Sequence, residues 1–155
     1  MFVCLGNICR SPMAEFVLRD LAEKRGVSSM LTVASSATSS DEIPNGIGNP
    51  VYPPARAELE RHGVFCGDRR AVRLTLDDYD KYDLFIGMDS SNIRNMRRML
   101  GGDPNGKIRK LMDYTGRSRD VADPWYTGNF EVTYRDVKAG CEALLDALEC
   151  EGRLN

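Results

Sequence analysis

A cysteine at position 4 and an arginine at position 10 have five residues between them, and a hydroxyl follows at once, in the run Val3-Cys4-Leu5-Gly6-Asn7-Ile8-Cys9-Arg10-Ser11-Pro12. A thiol beside backbone N–H dipoles and a guanidinium gives up its proton readily. The guanidinium is planar and clamps two oxygens of a tetrahedral anion at once. Ser11 and Pro12 read as the first positions of a helix, because Ser caps orphan N–H groups and Pro is tolerated in the first turn. Met1 to Val3 lead in as the end of a strand. A strand-to-helix loop aims several N–H groups and the positive end of a helix dipole at one point, which makes an anion site for phosphate or sulfate. Gly6 and Asn7 accept the left-handed backbone that a tight cradle needs. The pattern predicts a nucleophilic sulfur under an oxyanion cradle, a chemistry suited to attack on phosphorus. The competing reading of Cys4 is a small buried hydrophobe at a strand end.

The elements that must hold this loop follow in order. The helix after it carries Met13, Phe16, Val17 and Leu21 on one face and stops near Lys24, Arg25 and Gly26. Met30 to Ala34 read as a second strand that ends at the small polar run Ser35 to Ser40. Asp41 to Pro54 is a long loop rich in Pro, Gly and Asn, read either as a wall of the site or as a solvent loop. Ala55 to His62 is helical, with Gly63 as its stop and His62 as a helix C-terminal cation. Arg69, Arg70 and Arg73 read as a solvated face. Leu76 to Tyr82 is a short helix, and Leu84 to Met88 a buried parallel-type strand. Asp89, Ser90 and Ser91 offer caps for a helix from Asn92 to about Leu100. Gly101 to Gly106 is a turn cluster, Lys107 to Met112 a fourth strand, and Asp113 to Asn129 a loop. The closing helix, Phe130 to Glu149, presents Tyr134, Val137, Cys141, Leu144, Leu145 and Leu148 at helical spacing.

Strands that alternate with helices predict an α/β fold: a three-layer, doubly wound, parallel four-stranded sheet with helices on both faces. In such sheets the ligand lies beyond the strand C-termini at the switch point, where Cys4 falls. The 155 residues predict one domain, 1–155. With 21 basic and 23 acidic residues and a formal charge of −2, general nucleic-acid binding is not expected. No apolar run approaches the ~18 residues of a membrane span. The five cysteines, Cys4, Cys9, Cys66, Cys141 and Cys150, form no disulfide framework and no Cys-x-x-Cys pair, and there is one His. Free thiols point to a reducing compartment, the cytoplasm, and no metal or organic cofactor is expected.

The run Val3 to Pro12, followed by Met13-Ala14-Glu15, resembles the loop of the low-molecular-weight protein tyrosine phosphatases. The similarity extends to Asp123-Pro124-Trp125-Tyr126, to Phe85-Ile86-Gly87-Met88-Asp89-Ser90-Ser91-Asn92 and, for bacterial members, to Gly48-Asn49-Pro50-Val51-Tyr52-Pro53-Pro54-Ala55-Arg56. The resemblance implies a phosphotyrosine protein or peptide as substrate, with its phosphoryl group in the loop Leu5 to Arg10. Cys4 would be the nucleophile that forms a cysteinyl-phosphate, Arg10 the phosphate clamp, and Asp123 the general acid and base. Ser11 and Asn7 would support the sulfur and the loop, while Ile8, Trp125 and Tyr126 would border the substrate ring. The resemblance also makes Cys9 the thiol that captures an oxidised Cys4. Many relatives carry a His near Arg69 that braces the loop Asn; this chain lacks it. Rival readings on the same fold are a protein-arginine phosphatase, an arsenate reductase and a phosphoryl carrier. Arginine phosphatases carry Thr where Ile8 stands, and an apolar side chain there favours an aromatic ring. Arsenate reductase needs two further thiols close together mid-chain, where Cys66 stands alone.

Overall fold

The computed structural model describes residues 1–154. Four short strands form one parallel sheet in the order β2-β1-β3-β4: β1 Phe2–Cys4, β2 Ser35–Ala37, β3 Phe85–Gly87 and β4 Ile108–Lys110. Phe2 pairs with Ser35 on one side and with Ile86 on the other. The connection from β1 leads to one flank and that from β3 to the other, so the switch point lies between these two strands. Their C-terminal ends carry Cys4 and Asp89 into the same crevice.

Alternation along the strands divides the core in two. Phe2, Cys4 and Ile86 face a cluster built with α1 (Arg10–Lys24), α2 (Pro53–Arg61) and α6 (Phe130–Cys150). Val3, Phe85 and Ile108 face a smaller cluster with Tyr79 of α3 (Asp78–Lys81) and Met96 of α4 (Ser90–Met99). Helices therefore cover both faces, as the alternation of elements predicts. The predicted stripe of α6 is buried from Tyr134 to Leu148. Gly140 in this helix has a packing reason: a Cβ would meet Leu111 Cγ at 2.5 Å. His62 caps the C-terminus of α2 and stacks on Tyr134, with ring centroids 3.7 Å apart.

Several boundaries differ from expectation. The second strand is not Met30–Ala34 but Ser35–Ala37, in the run read as its end. Ser28–Met30 is a 3-10 turn, and Leu31 and Val33 pack half-buried on the core margin. Pairing beside the central strand requires small side chains there: Ser35, Ser36 and Ala37 are all buried. The expected loop 113–129 begins in a 3-10 turn, Leu111–Thr115, and contains the helix α5, Pro124–Thr127. Ser11 lies inside α1, whose N-cap is Cys9 without any side-chain cap bond; the Ser11 hydroxyl is used elsewhere.

Candidate active site

The loop from Leu5 to Cys9 joins the end of β1 to the uncapped N-terminus of α1. Its carbonyls are tied away from its centre. Cys4 O accepts from Thr38 N (3.0 Å), Leu5 O from Ser39 N (3.0 Å), Ile8 O from Tyr52 N (2.9 Å), and Cys9 O from Met13 N (3.1 Å). In a trans peptide the next N–H points opposite to the carbonyl, so the amides of Leu5, Gly6, Cys9 and Arg10 turn to the other side. Asn7 takes the left-handed backbone, φ 59°. Gly6 does not; its missing Cβ instead makes room for Glu42, whose Cγ lies 3.1 Å from where a Cβ would sit.

Cys4 Sγ lies 2.9 Å from Ser11 Oγ and accepts from Asn7 N at 3.3 Å. Either atom can donate in the first bond, and the neighbouring bonds leave the Ser11 proton available for it. Glu15, 2% exposed, accepts from Ser35 Oγ at 2.6 Å. Ser35 Oγ, its proton used, accepts from Asn7 Nδ2 (2.9 Å), and Asn7 Nδ2 also donates to Ser11 Oγ (2.8 Å). Ser11 therefore has its own proton free for the sulfur.

Arg69 is a correction to the solvated-face reading. Its Nη2 donates to Asn7 Oδ1 (3.3 Å) and to Ser35 O (2.6 Å), and its Nε donates to Glu15 (3.2 Å). Val72 N donates to the same Asn7 oxygen at 3.0 Å. Arg69 thus braces the loop Asn in this chain. Arg69→Ala leaves Glu15, buried, with Arg19 as its remaining cation, and is expected to lower the unfolding free energy by about 3 kcal/mol. Urea denaturation measures this; Arg69→Lys, which keeps the charge but not the fork, should recover only part of the loss.

Arg10 is buried at 3% exposure. Its Nη1 donates to Asp89 Oδ2 and to Val121 O, both at 2.8 Å, and its Nη2 faces Asp123 Oδ2 at 3.4 Å. Burial disfavours its charge, but the Cys4 sulfur and the carboxylates of Asp89 and Asp123 outweigh it, and the pKa lies above the ordinary value. Asp89 is also the N-cap of α4 in a reciprocal capping box with Asn92. One carboxylate oxygen holds the helix and the other the guanidinium. Burial, then the charge at Cys4, push the Cys9 thiol far up. All five cysteines are free.

A cleft of about 240 Å³ opens over the loop, lined by Cys4, Leu5, Gly6, Asn7, Ile8, Cys9 and Arg10 on its floor. Asp123, Trp125 and Tyr126 form one wall, and Asp41 and Glu42 another. Asp123 is the N-cap of α5, its Oδ1 accepting from Trp125 N at 3.1 Å. Trp125 packs on Tyr52 at 4.9 Å between centroids, while Tyr126 is 82% exposed. Every residue singled out by sequence lines this cleft or, for Ser11, lies under it. Sequence reasoning missed Glu15, Ser35, Arg69, Glu42 and the second contact of Asp89. Among the described residues no helix is long and apolar enough to cross a membrane.

The family profile described as "Low molecular weight phosphotyrosine protein phosphatase" matches residues 1–154. The chain is 40% identical over 156 residues to the low molecular weight protein-tyrosine-phosphatase YfkJ of Bacillus subtilis, covering 99% of this chain and 97% of that protein. The crystal structure of YfkJ superposes with a TM-score of 0.90 at 41% identity, over 97% of this chain and 93% of that one. The low molecular weight protein-tyrosine-phosphatase PtpA of Staphylococcus haemolyticus is 36% identical, over 99% of this chain and 95% of its own length. The structure of a Drosophila arginine phosphatase is also similar, with a TM-score of 0.84 at 26% identity and 96% coverage of both chains.

Proposed function

Because the chain belongs to the low molecular weight phosphotyrosine protein phosphatase family, we propose that it hydrolyses phosphotyrosine in proteins or peptides through a phosphorylated Cys4. The observation that carries this reading is the sulfur of Cys4, held by Ser11 Oγ and Asn7 N on the floor of a cleft whose wall is Asp123. The phosphoryl dianion docks against the amides of Leu5 to Arg10. Arg10 turns part of its guanidinium from the carboxylates to the phosphoryl oxygens. The Cys4 thiolate attacks phosphorus, and the S–P bond forms as the P–O bond to the phenol breaks. The electron pair goes to the phenolic oxygen, which takes a proton from the Asp123 carboxyl. Water then attacks the phosphorus of the cysteinyl-phosphate and gives its proton to Asp123. The S–P bond breaks, and the proton of Ser11 stabilises the departing thiolate. Trp125, Tyr126 and Ile8 border the ring.

The arginine-phosphatase reading has the likeness to the Drosophila enzyme in its favour. Ile8, on the cleft floor, offers an arginine side chain no hydrogen bond. Turnover of matched phosphotyrosine and phosphoarginine peptides decides between them. Phosphotyrosine should be hydrolysed faster, and the reverse order would overturn the assignment.

Cys9 extends the proposal. Peroxide converts the Cys4 thiolate to a sulfenic acid, and the Cys9 thiol then displaces water to give a Cys4–Cys9 disulfide. Peroxide inactivation should be reversed by dithiothreitol in the wild type and become irreversible in Cys9→Ser. Equal recovery of both would refute this role.

A further inference from the structure

One wall of the cleft is acidic in a way the phosphoryl chemistry does not require. A dianion on the loop lies in a cleft that Asp41 and Glu42 also line, and the cleft's one basic lining residue, Arg10, is buried and already faces Asp89 and Asp123. Glu42 is held in place. Its Oε2 accepts from Asn49 Nδ2 at 2.7 Å, its carbonyl O accepts from Asn49 N at 2.8 Å, and its Cγ packs over Gly6. Asp41 is exposed. Among the described residues neither carboxylate forms an ion pair. Beside them the exposed faces of Trp125 and Tyr126 line the same cleft, and aromatic faces attract cations as carboxylates do.

Building on the proposed phosphatase activity, we infer that Asp41 and Glu42 are specificity residues that select phosphotyrosine flanked by lysine or arginine. A flanking cation lying over this wall offsets the repulsion between these carboxylates and the phosphoryl group. A flanking Asp or Glu adds to that repulsion. Like-charge juxtaposition at a rim acts mainly on encounter and discrimination and is screened by salt.

The test compares kcat/KM for two phosphotyrosine peptides of one sequence, with Lys or with Glu on both sides of the phosphotyrosine. They are assayed with the wild type and with the Asp41→Asn/Glu42→Gln double variant. The readout is the ratio between peptides within one enzyme, so a general change in activity cancels. The wild type should prefer the Lys-flanked peptide by about tenfold. That preference should fall to within about twofold in the double variant, and should shrink in the wild type at high salt. A wild-type ratio near one, with p-nitrophenyl phosphate still hydrolysed, would overturn this inference alone; no hydrolysis of any of the three substrates would overturn the phosphatase reading beneath it. Faster turnover of a phosphoarginine peptide than of the Lys-flanked one, lost in the same variant, would place the carboxylates against the phosphorylated residue itself and refute the flanking-residue assignment.

Discussion

Cys4→Ser should abolish turnover while leaving the anion site intact. Loss of a nucleophile in a hydrolase that works by covalent catalysis costs on the order of 10⁴–10⁶ in kcat. The serine oxygen would take the same two donors, Ser11 Oγ and Asn7 N, but a hydroxyl is far less acidic than a thiol. Donors that sustain a thiolate do not sustain an alkoxide. The smaller side chain fits the buried strand end, so the fold should be unaffected. The loop amides and Arg10 are untouched. Inorganic phosphate should therefore bind the variant about as well as it binds wild type by calorimetry, and a phosphotyrosine peptide should form a stable complex. Loss of binding together with turnover would mean that the variant had lost the loop rather than the nucleophile. Retained turnover would remove Cys4 from the mechanism.

Asp123→Asn should lower turnover of phosphotyrosine by ~10²–10⁴-fold. The substitution is nearly isosteric, and the amide oxygen still accepts from Trp125 N, so the cap of α5 survives. What is lost is a proton acidic enough to transfer and the carboxylate that takes one back. A phenol of pKa ~10 leaves poorly as an anion, so the first step suffers most with tyrosine-like leaving groups. With more acidic phenols the first step should be nearly normal. The second step, which needs Asp123 as base, should then become limiting and the phosphorylated enzyme should accumulate. A loss that is uniform across leaving groups would instead assign Asp123 a role in holding Arg10, which it faces at 3.4 Å.

The contrast between what the sequence reveals and what it hides is local against distant. Cys4 to Pro12 is legible because strand end, loop and helix start are all within ten residues, and the proposed anion site draws on that segment's own backbone. Asp123-Pro124 is legible through the turn that Pro fixes. The brace beneath the loop is not. Glu15, Ser35 and Arg69 meet Asn7 only in three dimensions, and each reads in isolation as an ordinary polar residue. The position of the second strand is hidden for the same reason. Apolar β-favouring residues at 30–34 outweigh Ser35-Ser36-Ala37 by propensity, but the strand beside the loop after β1 needs small side chains and hydroxyls to reach Glu15 and Asn7. Asp89 is readable as a cap and is one. Its second oxygen on Arg10 depends on β3 lying next to β1.

The proposed hydrolysis at this site requires a phosphoryl group to pass through the sulfur of residue 4. The direct measurement is to mix Asp123→Asn enzyme with p-nitrophenyl phosphate, quench in acid within the first turnovers, and map any added phosphoryl mass by peptide sequencing. One phosphoryl group on Cys4 is the predicted result. A phosphoryl group on any other residue, or release of p-nitrophenol with no labelled enzyme and full exchange of phosphate into solvent, would contradict it.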